Sequence, residues 1–139
     1  MKKQVLTAMT AAAMTAMIAG SAFAEDYKIG IIKFVDDASL DQIQASIMAE
    51  LDARSAEGED NFIYEGYVLN GQADPTIIGQ LADQLIGDGV NVIIPIATPA
   101  AQIVQAKTED NQIPVVFSAV SDPVGAGLAE SMEAPGANI

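Results

Sequence analysis

The sequence predicts an α/β fold, a three-layer αβα lobe built around a parallel, doubly wound sheet. The 139 residues are 50% hydrophobic, which suits one folded domain of ordinary size. Apolar runs rich in β-branched residues alternate with segments of helical periodicity. The connections between them are short, which favours parallel strands joined by right-handed crossovers. Analogy with such sheets predicts the strand order 2-1-3-4.

The N-terminal segment has the composition of an export signal. Two lysines come first, then an uncharged apolar stretch over residues 5–20, then an A-x-A-like ending at Ala24. We therefore expect a signal peptide over residues 1–24 and a lobe over residues 25–139. The alternative is a membrane anchor helix, which the weakly apolar Ala and Thr residues disfavour.

The charge and the missing residue types exclude several functions. The net charge is −13, and the chain contains neither Cys nor His. An acidic chain offers no basic face for nucleic acid or anionic lipid. Without Cys or His there are no disulfides, no thiolate or imidazole metal ligands and no Ser-His-Asp triad. We expect no cofactor, no metal, no catalytic residues and no lipid anchor attached through a cysteine, so the protein is not expected to be an enzyme.

The first strand and helix are predicted from residues 27–54. Residues 27–35 are apolar and β-branched over about one strand length. Ser39 and Gln42 fit an S-x-x-Q capping box, which would begin a helix ending near Arg54. The apolar positions of this helix recur at helical spacing and are Leu40, Ile43, Ile47, Met48 and Leu51.

A second strand and helix follow a polar loop. Residues 62–69 read as a strand, and residues 70–73 as a turn. Asp74 as N-cap and Pro75 at the first helical position would begin a helix that Gly87 ends. Its expected inward positions are Ile77, Ile78, Leu81, Leu85 and Ile86.

The third strand is predicted over residues 90–97, which are nearly all apolar, as in a strand covered on both faces. Pro95 cannot donate to a ladder, so we expect it at a bulge or where neighbouring pairing has ended. Thr98 and Pro99 repeat the cap-then-proline pattern and would begin a third helix. Its expected inward positions are Ile103, Val104 and Ala106.

A fourth strand is predicted over residues 113–120. Asp122 and Pro123 then form a third cap-then-proline pattern, and a short helix is expected around residues 128–132. The whole order is therefore β-α-β-α-β-α-β, followed by irregular chain.

The ligand site of such a sheet lies beyond the carboxyl ends of its strands. Thr98 and Asp122 are each expected to cap a helix that starts directly after a strand. The unpaired N–H groups of such a start favour a carboxylate or a phosphate. Capping alone, without any ligand, is the alternative, because caps of this kind are common in α/β proteins.

Two acidic residues follow the first strand. Asp36 and Asp37 could hold a ligand ammonium group, could hold Mg²⁺ as in receiver domains, or could form a solvated loop. A receiver domain needs an acceptor Asp at the end of the third strand, where this chain has Ala97 and Thr98. Phe34 is either a core residue or an apolar contact for a ligand.

Several strings resemble one family of proteins. They are A-T-P-A-A-Q at residues 97–102, A-V-S-D-P-V-G-A-G-L at residues 119–128 and P-G-A-N-I at residues 135–139. With the first strand, these strings resemble the tryptophan/tyrosine-binding type of ABC-transporter substrate-binding proteins. The resemblance covers essentially all of residues 25–139.

The resemblance implies a periplasmic binding protein-like lobe of type I. Such proteins close two lobes on a small ligand, often an aromatic amino acid, and deliver it to a membrane permease. Carried over by position, the residues that line this lobe's half of the cleft are Phe34, Val35, Asp36, Thr98, Pro99, Ala100, Ala119, Ser121 and Asp122. The backbone N–H groups of Thr98 and Ala100 would hold a carboxylate. Asp36 or Asp122 would hold an ammonium group, and Phe34 would make apolar contact.

The family's longer length implies that this chain is an N-terminal fragment without the second lobe. A periplasmic or secreted location is expected. The alternative function is an extracytoplasmic ligand-sensing domain of a signalling or regulatory protein. An enzyme of flavodoxin-like fold is a third interpretation, for which the sequence offers no catalytic group.

Overall fold

A computed structural model describes residues 24–58 and 60–139 of the chain. The predicted export signal lies outside these residues except for Ala24. The helices and strands in chain order are β1 Glu25–Lys33, α1 Ala38–Glu57, β2 Asp60–Ile63, β3 Val68–Asn70, α2 Pro75–Gly87, β4 Val92–Ile96 and α3 Thr98–Thr108. No helix among the described residues combines the length and the hydropathy needed to cross a membrane.

Strand β1 is the centre of a parallel sheet. It pairs with β2 through residues 25–28, with β3 through residues 31–33 and with β4 through residues 29–33. Because β3 and β4 pair with the same residues of β1, they lie on its opposite edges. Two parallel bridges, from Ile93 to Val115 and from Ile96 to Ser118, extend the sheet beyond β4. This arrangement confirms the predicted α/β class. It also confirms the order 2-1-3-4 of the predicted strands, in which strand 2 corresponds to β2 and β3, strand 3 to β4 and strand 4 to residues 113–118.

The predicted second strand is wrong in its continuity, because it is divided into β2 and β3. A turn interrupts it, with Gly66 at a φ of 86° and the Tyr67 N–H donating to the Tyr64 carbonyl at 2.9 Å. Tyr64 is buried against the α1 side of the sheet, and its hydroxyl donates to the Asp52 carboxylate at 2.7 Å. This hydrogen bond raises the pKa of Tyr64.

The predicted fourth strand is present only as the two bridges, and Pro95 explains why. Pro95 pairs with Ile32 on the β1 side, and its carbonyl accepts from the Ser118 N–H at 2.9 Å on the other side. Since a proline has no N–H, the ladder toward residues 113–118 lacks one bond at this position. Pairing continues past Pro95 on both sides, from Ile96 to Lys33 and to Ser118, so the prediction that neighbouring pairing ends there is wrong.

Helices cover both faces of the sheet, which gives the predicted three layers. The α2–α3 face packs the buried residues Ile32, Ile78, Ala82, Leu85, Val90, Ile93, Val104 and Val115. The α1 face packs the buried residues Ile29, Ile31, Tyr64 and Ile96. Of the predicted inward positions, Ala106 is wrong, because it lies exposed on α3.

The first helix begins at a different cap from the one predicted. Asp37 is the N-cap, and its carboxylate accepts from the N–H groups of Ser39 at 2.9 Å and Leu40 at 3.3 Å. Ser39 is therefore inside the helix, and the predicted capping box with Gln42 is wrong. The helix also runs past Arg54 to Glu57, and ends at Gly58 in the left-handed conformation.

The second helix has the predicted start. Asp74 is its N-cap, with its carboxylate accepting from Thr76 N–H at 2.7 Å and Ile77 N–H at 3.2 Å. The predicted short helix around residues 128–132 is wrong, because these residues form bends and irregular chain. Gly125 and Gly127 precede the stretch and Pro135 and Gly136 follow it, and residues of these types favour turns over a helix.

One lysine is buried at the end of β1. Lys33 is 7% exposed, and its ammonium group lies 2.9 Å from the Asp36 carboxylate and also pairs with the Asp41 carboxylate. The two partners raise the pKa of Lys33, and the hydrogen bond from Lys33 lowers the pKa of Asp36. These ion pairs join the sheet to the first turn of α1.

We predict that Gly71→Ala lowers the free energy of unfolding by about 1–3 kcal/mol. A β-carbon at Gly71 would lie 2.3 Å from Ile78 Cγ1 and 3.2 Å from the Phe34 carbonyl oxygen. Gly87→Ala is the control, because a β-carbon there meets nothing within 4 Å. Urea unfolding of the two variants checks this, and equal midpoints would contradict it.

We predict that Asp37→Ala lowers the free energy of unfolding by about 0.5–2 kcal/mol through loss of the N-cap of α1. Asp37→Asn keeps the acceptor and is expected to retain most of this stability. Ser39→Ala removes no cap and is expected to cost less than Asp37→Ala. A larger loss of thermal stability in Ser39→Ala than in Asp37→Ala would contradict this and would support the capping box.

We predict that Lys33→Met reduces the dependence of stability on acid pH. A lowered pKa means that the Asp36 contribution is present above the ordinary carboxyl pKa, and is lost as pH falls through the folded value. The wild-type chain should therefore lose more stability than the variant below about pH 4. Unfolding midpoints between neutral and acid pH measure this, with Lys107→Met as the control for an exposed ion pair.

Candidate ligand-binding site

Backbone hydrogen bonds hold the predicted site loops at one edge of the sheet. The Phe34 N–H donates to the Ile96 carbonyl at 3.2 Å, and the Phe34 carbonyl accepts from the Ala73 N–H at 2.8 Å. The Ala97 N–H donates to the Ser118 carbonyl at 2.9 Å. The loops that follow β1, β3, β4 and residues 113–118 therefore lie side by side at the carboxyl ends of the strands.

Left-handed backbone at residues other than glycine occurs repeatedly along this edge. The φ angles are 53° at Gln72, 57° at Ala73, 86° at Ala97 and 55° at Ala119. A residue with a β-carbon pays about 1–3 kcal/mol for such a conformation. Strain of this kind is retained where the surrounding fold over-determines the backbone, and it is concentrated at binding and catalytic sites.

The start of α3 offers two free backbone donors. Its N-cap is Ala97, at φ 86° and ψ 151°, and no side chain caps the helix. The prediction that Thr98 is the cap is wrong, since Thr98 is the first helical residue. The first helical bond runs from the Ala101 N–H to the Ala97 carbonyl at 3.0 Å. The N–H groups of Thr98 and Ala100 have no acceptor among the described residues, and Pro99 between them has no N–H.

Aspartate side chains satisfy the corresponding donors of the other two helices. Asp37 caps α1 and Asp74 caps α2, so an anion would find their N–H groups already bonded and a carboxylate beside them. The start of α3 is uncapped and carries the positive end of the helix dipole. Of its two unbonded N–H groups, one belongs to the half-buried Thr98 and the other to the fully buried Ala100, and the binding of a carboxylate here stays a prediction.

The two candidate partners for an ammonium group differ in their bonding. Asp36 is largely exposed but already paired with the Lys33 ammonium group. Asp122 is exposed, and its Oδ1 accepts from the Gly125 N–H at 2.8 Å. Asp122 thus stabilises a turn, and the prediction that it caps a helix is wrong. Within residues 24–58 and 60–139, no hydrogen bond joins Asp122 directly to Phe34 or Thr98.

The Asp122 turn is fixed against α3. The Gln102 amide donates to the Ala126 carbonyl at 2.8 Å, and the Gln105 amide donates to the Leu128 carbonyl at 3.3 Å. The turn therefore stands beside the helix whose first residues offer the free donors. Ser121, immediately before it, is exposed.

The remaining predicted residues form the apolar part of the edge. Phe34 and Val35 are half-buried, and Phe34 packs against the α2–α3 core. Phe34 thus has the core role, and because it is only half-buried, contact with a ligand stays a prediction. Ala100 is fully buried, backbone included, so neither its side chain nor its N–H is exposed to a ligand in this structure.

The two carboxylates that could hold Mg²⁺ in the first loop already have other partners. Asp36 pairs with Lys33 and Asp37 caps α1. Within residues 24–58 and 60–139, no three His, Cys, Asp or Glu residues lie together in a way that could hold a metal ion.

Sequence reasoning missed two features of this edge. Lys33 was treated as part of an apolar strand, although a lysine directly before Phe-Val-Asp-Asp signals an ion pair with the loop acids. The left-handed backbone at Ala97 carries no sequence signal, because alanine is not a residue that favours positive φ.

Comparison with known proteins identifies the family of this chain. Residues 28–139 match the family described as ABC transporter substrate binding protein. A tyrosine-binding protein of Clostridioides difficile is 34% identical over 111 residues, which are 80% of this chain and 31% of that protein.

Solved structures agree with this match. A complex with L-Trp from Streptococcus pneumonia is 32% identical with a TM-score of 0.68, over 81% of this chain and 37% of the other. A conserved domain protein from Vibrio cholerae is 34% identical with a TM-score of 0.68, over 81% of this chain and 36% of the other.

The chain spans about a third of the length of the relatives that it matches. The family match nevertheless includes β1 from Lys28 onward, the helices on both faces of the sheet and all the loops of the carboxyl edge. The chain belongs to the family of ABC transporter substrate-binding proteins.

Proposed function

We propose that this chain is the solute-binding component of an ABC importer and works outside the cytoplasmic membrane. The carboxyl edge of its sheet forms one wall of a cleft for an amino acid with an aromatic side chain. A permease then receives the ligand. The open start of α3 carries the proposal, because it lies at this edge in a chain 32% identical to a protein solved with L-Trp.

Each part of an amino acid has a partner of suitable chemistry at the edge. The N–H of the half-buried Thr98 receives the carboxylate at the positive end of the α3 dipole, and the N–H of Ala100, which is fully buried, would join it only after a local rearrangement. Phe34 offers a half-buried aromatic surface for the side chain. Asp122 receives the ammonium group, because the other candidate, Asp36, is already neutralised by Lys33.

The strained backbone supports the same role. Ala97 and Ala119 hold their peptide groups in place before any ligand arrives, so less ordering is needed on binding. A single wall leaves much of a ligand in water, and closure by a second wall normally adds affinity. The affinity of this chain alone should therefore be weak.

We predict that the chain binds L-tryptophan, and that removal of either charged group of the ligand weakens binding about tenfold or more. Tryptamine lacks the carboxylate, and indole-3-propionate lacks the ammonium group. The chain has three tyrosines but no tryptophan, so indole fluorescence of the ligand, excited at wavelengths that tyrosine does not absorb, reports binding. Equal affinity for L-tryptophan and tryptamine would contradict the binding of the ligand carboxylate by the start of α3.

Asp122→Asn tests the ammonium partner while keeping the Oδ1 acceptor for Gly125. We expect the variant to lose its preference for L-tryptophan over indole-3-propionate. Asp110→Asn removes the same charge in an exposed turn elsewhere and should bind like the wild-type chain. A preference unchanged in Asp122→Asn would assign the ammonium group to another residue.

A further inference from the structure

The turn between β3 and α2 has a conformation that its sequence does not favour. The Asp74 N–H donates to the Gly71 carbonyl at 2.9 Å, which closes a β-turn over residues 71–74. The two central residues, Gln72 and Ala73, have φ angles of 53° and 57°, the pattern of a type I′ turn. Such positions favour asparagine, aspartate and glycine. Glutamine and alanine are not among these, so the turn retains strain that a glycine would relieve.

Hydrogen bonds hold the backbone of this turn against the loop that follows β1. The Gln72 N–H donates to Asn70 Oδ1 at 2.8 Å, and the Ala73 N–H donates to the Phe34 carbonyl at 2.8 Å. With the bond that closes the turn, every N–H of residues 72–74 has an acceptor. The direction in which the side chain of Gln72 leaves the backbone is therefore fixed.

The side chain of Gln72 itself is available to a ligand. It is exposed, and its amide makes no hydrogen bond in the part of the chain that the structure describes. A left-handed glutamine costs about 1–3 kcal/mol and persists only where the surrounding structure imposes it. Strain of this kind is typical of backbone that positions a side chain for a ligand.

The order of the strands brings Gln72 into line with the site described above. Strand β1 lies between β3 and β4, so the loops follow one another along the carboxyl edge as Gln72, Phe34 and Thr98. Two strand spacings put roughly 10 Å between the Gln72 loop and the Thr98 loop. An amino acid whose carboxylate is bonded at Thr98 and whose ring lies on Phe34 therefore extends toward Gln72.

We propose that Gln72 is a specificity-determining residue, whose side-chain amide hydrogen-bonds the polar atom of an aromatic ligand, a phenol O–H or an indole N–H. Since the ligand class comes from the proposed function, this role of Gln72 depends on it. A primary amide carries both donors and an acceptor, so the same residue suits the hydroxyl of tyrosine and the N–H of tryptophan. Phenylalanine has no such atom and leaves the amide without its bond.

The resulting preference should be modest, because a single wall leaves the amide in contact with water. A hydrogen bond made in exchange for one with water favours the ligand that forms it by about threefold to tenfold. The chain should therefore bind L-tyrosine more tightly than L-phenylalanine by this factor.

The test measures how well L-tyrosine and L-phenylalanine displace bound L-tryptophan, followed by indole fluorescence excited where tyrosine does not absorb. Gln72→Leu keeps the β-carbon and the approximate size of the side chain but removes both hydrogen-bonding atoms. We expect the wild-type chain to prefer L-tyrosine about threefold to tenfold and the variant to bind the two amino acids equally. Gln80→Leu changes an exposed glutamine on α2 and, as the matched control, should keep the wild-type preference.

Gln72→Gly separates ligand specificity from the stability of the turn. Glycine adopts a positive φ without strain, so we expect a urea midpoint at least as high as that of the wild-type chain. The preference for L-tyrosine should nevertheless be lost, as in Gln72→Leu. A Gln72→Gly variant that keeps the preference would show that the glutamine serves only the turn, and would overturn the proposal.

The remaining outcomes distinguish this role of Gln72 from the proposed function. A Gln72→Leu variant that binds L-tryptophan and still prefers L-tyrosine would overturn the role of Gln72 and leave the proposed function standing. Equal displacement by the two amino acids in the wild-type chain would do the same. No binding of L-tryptophan by the wild-type chain would overturn the proposed function and, with it, the role of Gln72.

Discussion

Strand β1 is the constraint on which the rest of the structure depends. It pairs with all three of the other strands and sends Ile29 and Ile31 into one core and Ile32 into the other. Both layers of helices are therefore positioned against a single strand. The same strand ends at Lys33, whose ion pairs hold the first loop of the carboxyl edge. The packing of the core and the position of this loop therefore both depend on β1.

The three helix starts show how similar local sequences produce different chemistry. Asp37 and Asp74 close two starts with a carboxylate, while the third is left open by Ala97. An uncapped start costs stability, and a left-handed alanine costs more. Both costs fall at the edge where a carboxylate of a ligand could take the place of the missing cap. Positive φ at an alanine beside an uncapped helix start is thus consistent with a binding role.

Apolar periodicity was sufficient to predict the α/β class and most core positions, because burial acts on every residue of a strand or helix. The strand order came from analogy with doubly wound sheets. Periodicity could not predict the division at Gly66, since a turn inside an aromatic-rich run depends on where Tyr64 packs. Among the site residues, the loops were predicted from chain order, and the free N–H groups of α3 from the resemblance. The caps of Ser39 and Thr98 were wrong, because several oxygen-bearing side chains near each helix start compete and tertiary geometry decides between them.

Pro95 makes the pairing of β4 with residues 113–118 weaker than its pairing with β1. On one side it belongs to the continuous ladder between β4 and β1, and on the other it leaves a gap toward residues 113–118. A ladder with a missing bond opens at a lower free energy than a complete one. Residues 113–118 are therefore expected to separate from β4 more readily than β4 separates from β1, and their amide hydrogens to exchange through local fluctuation. Ala119 and Ser121 follow this segment directly, so their part of the carboxyl edge is joined to the sheet by the weaker of the two ladders.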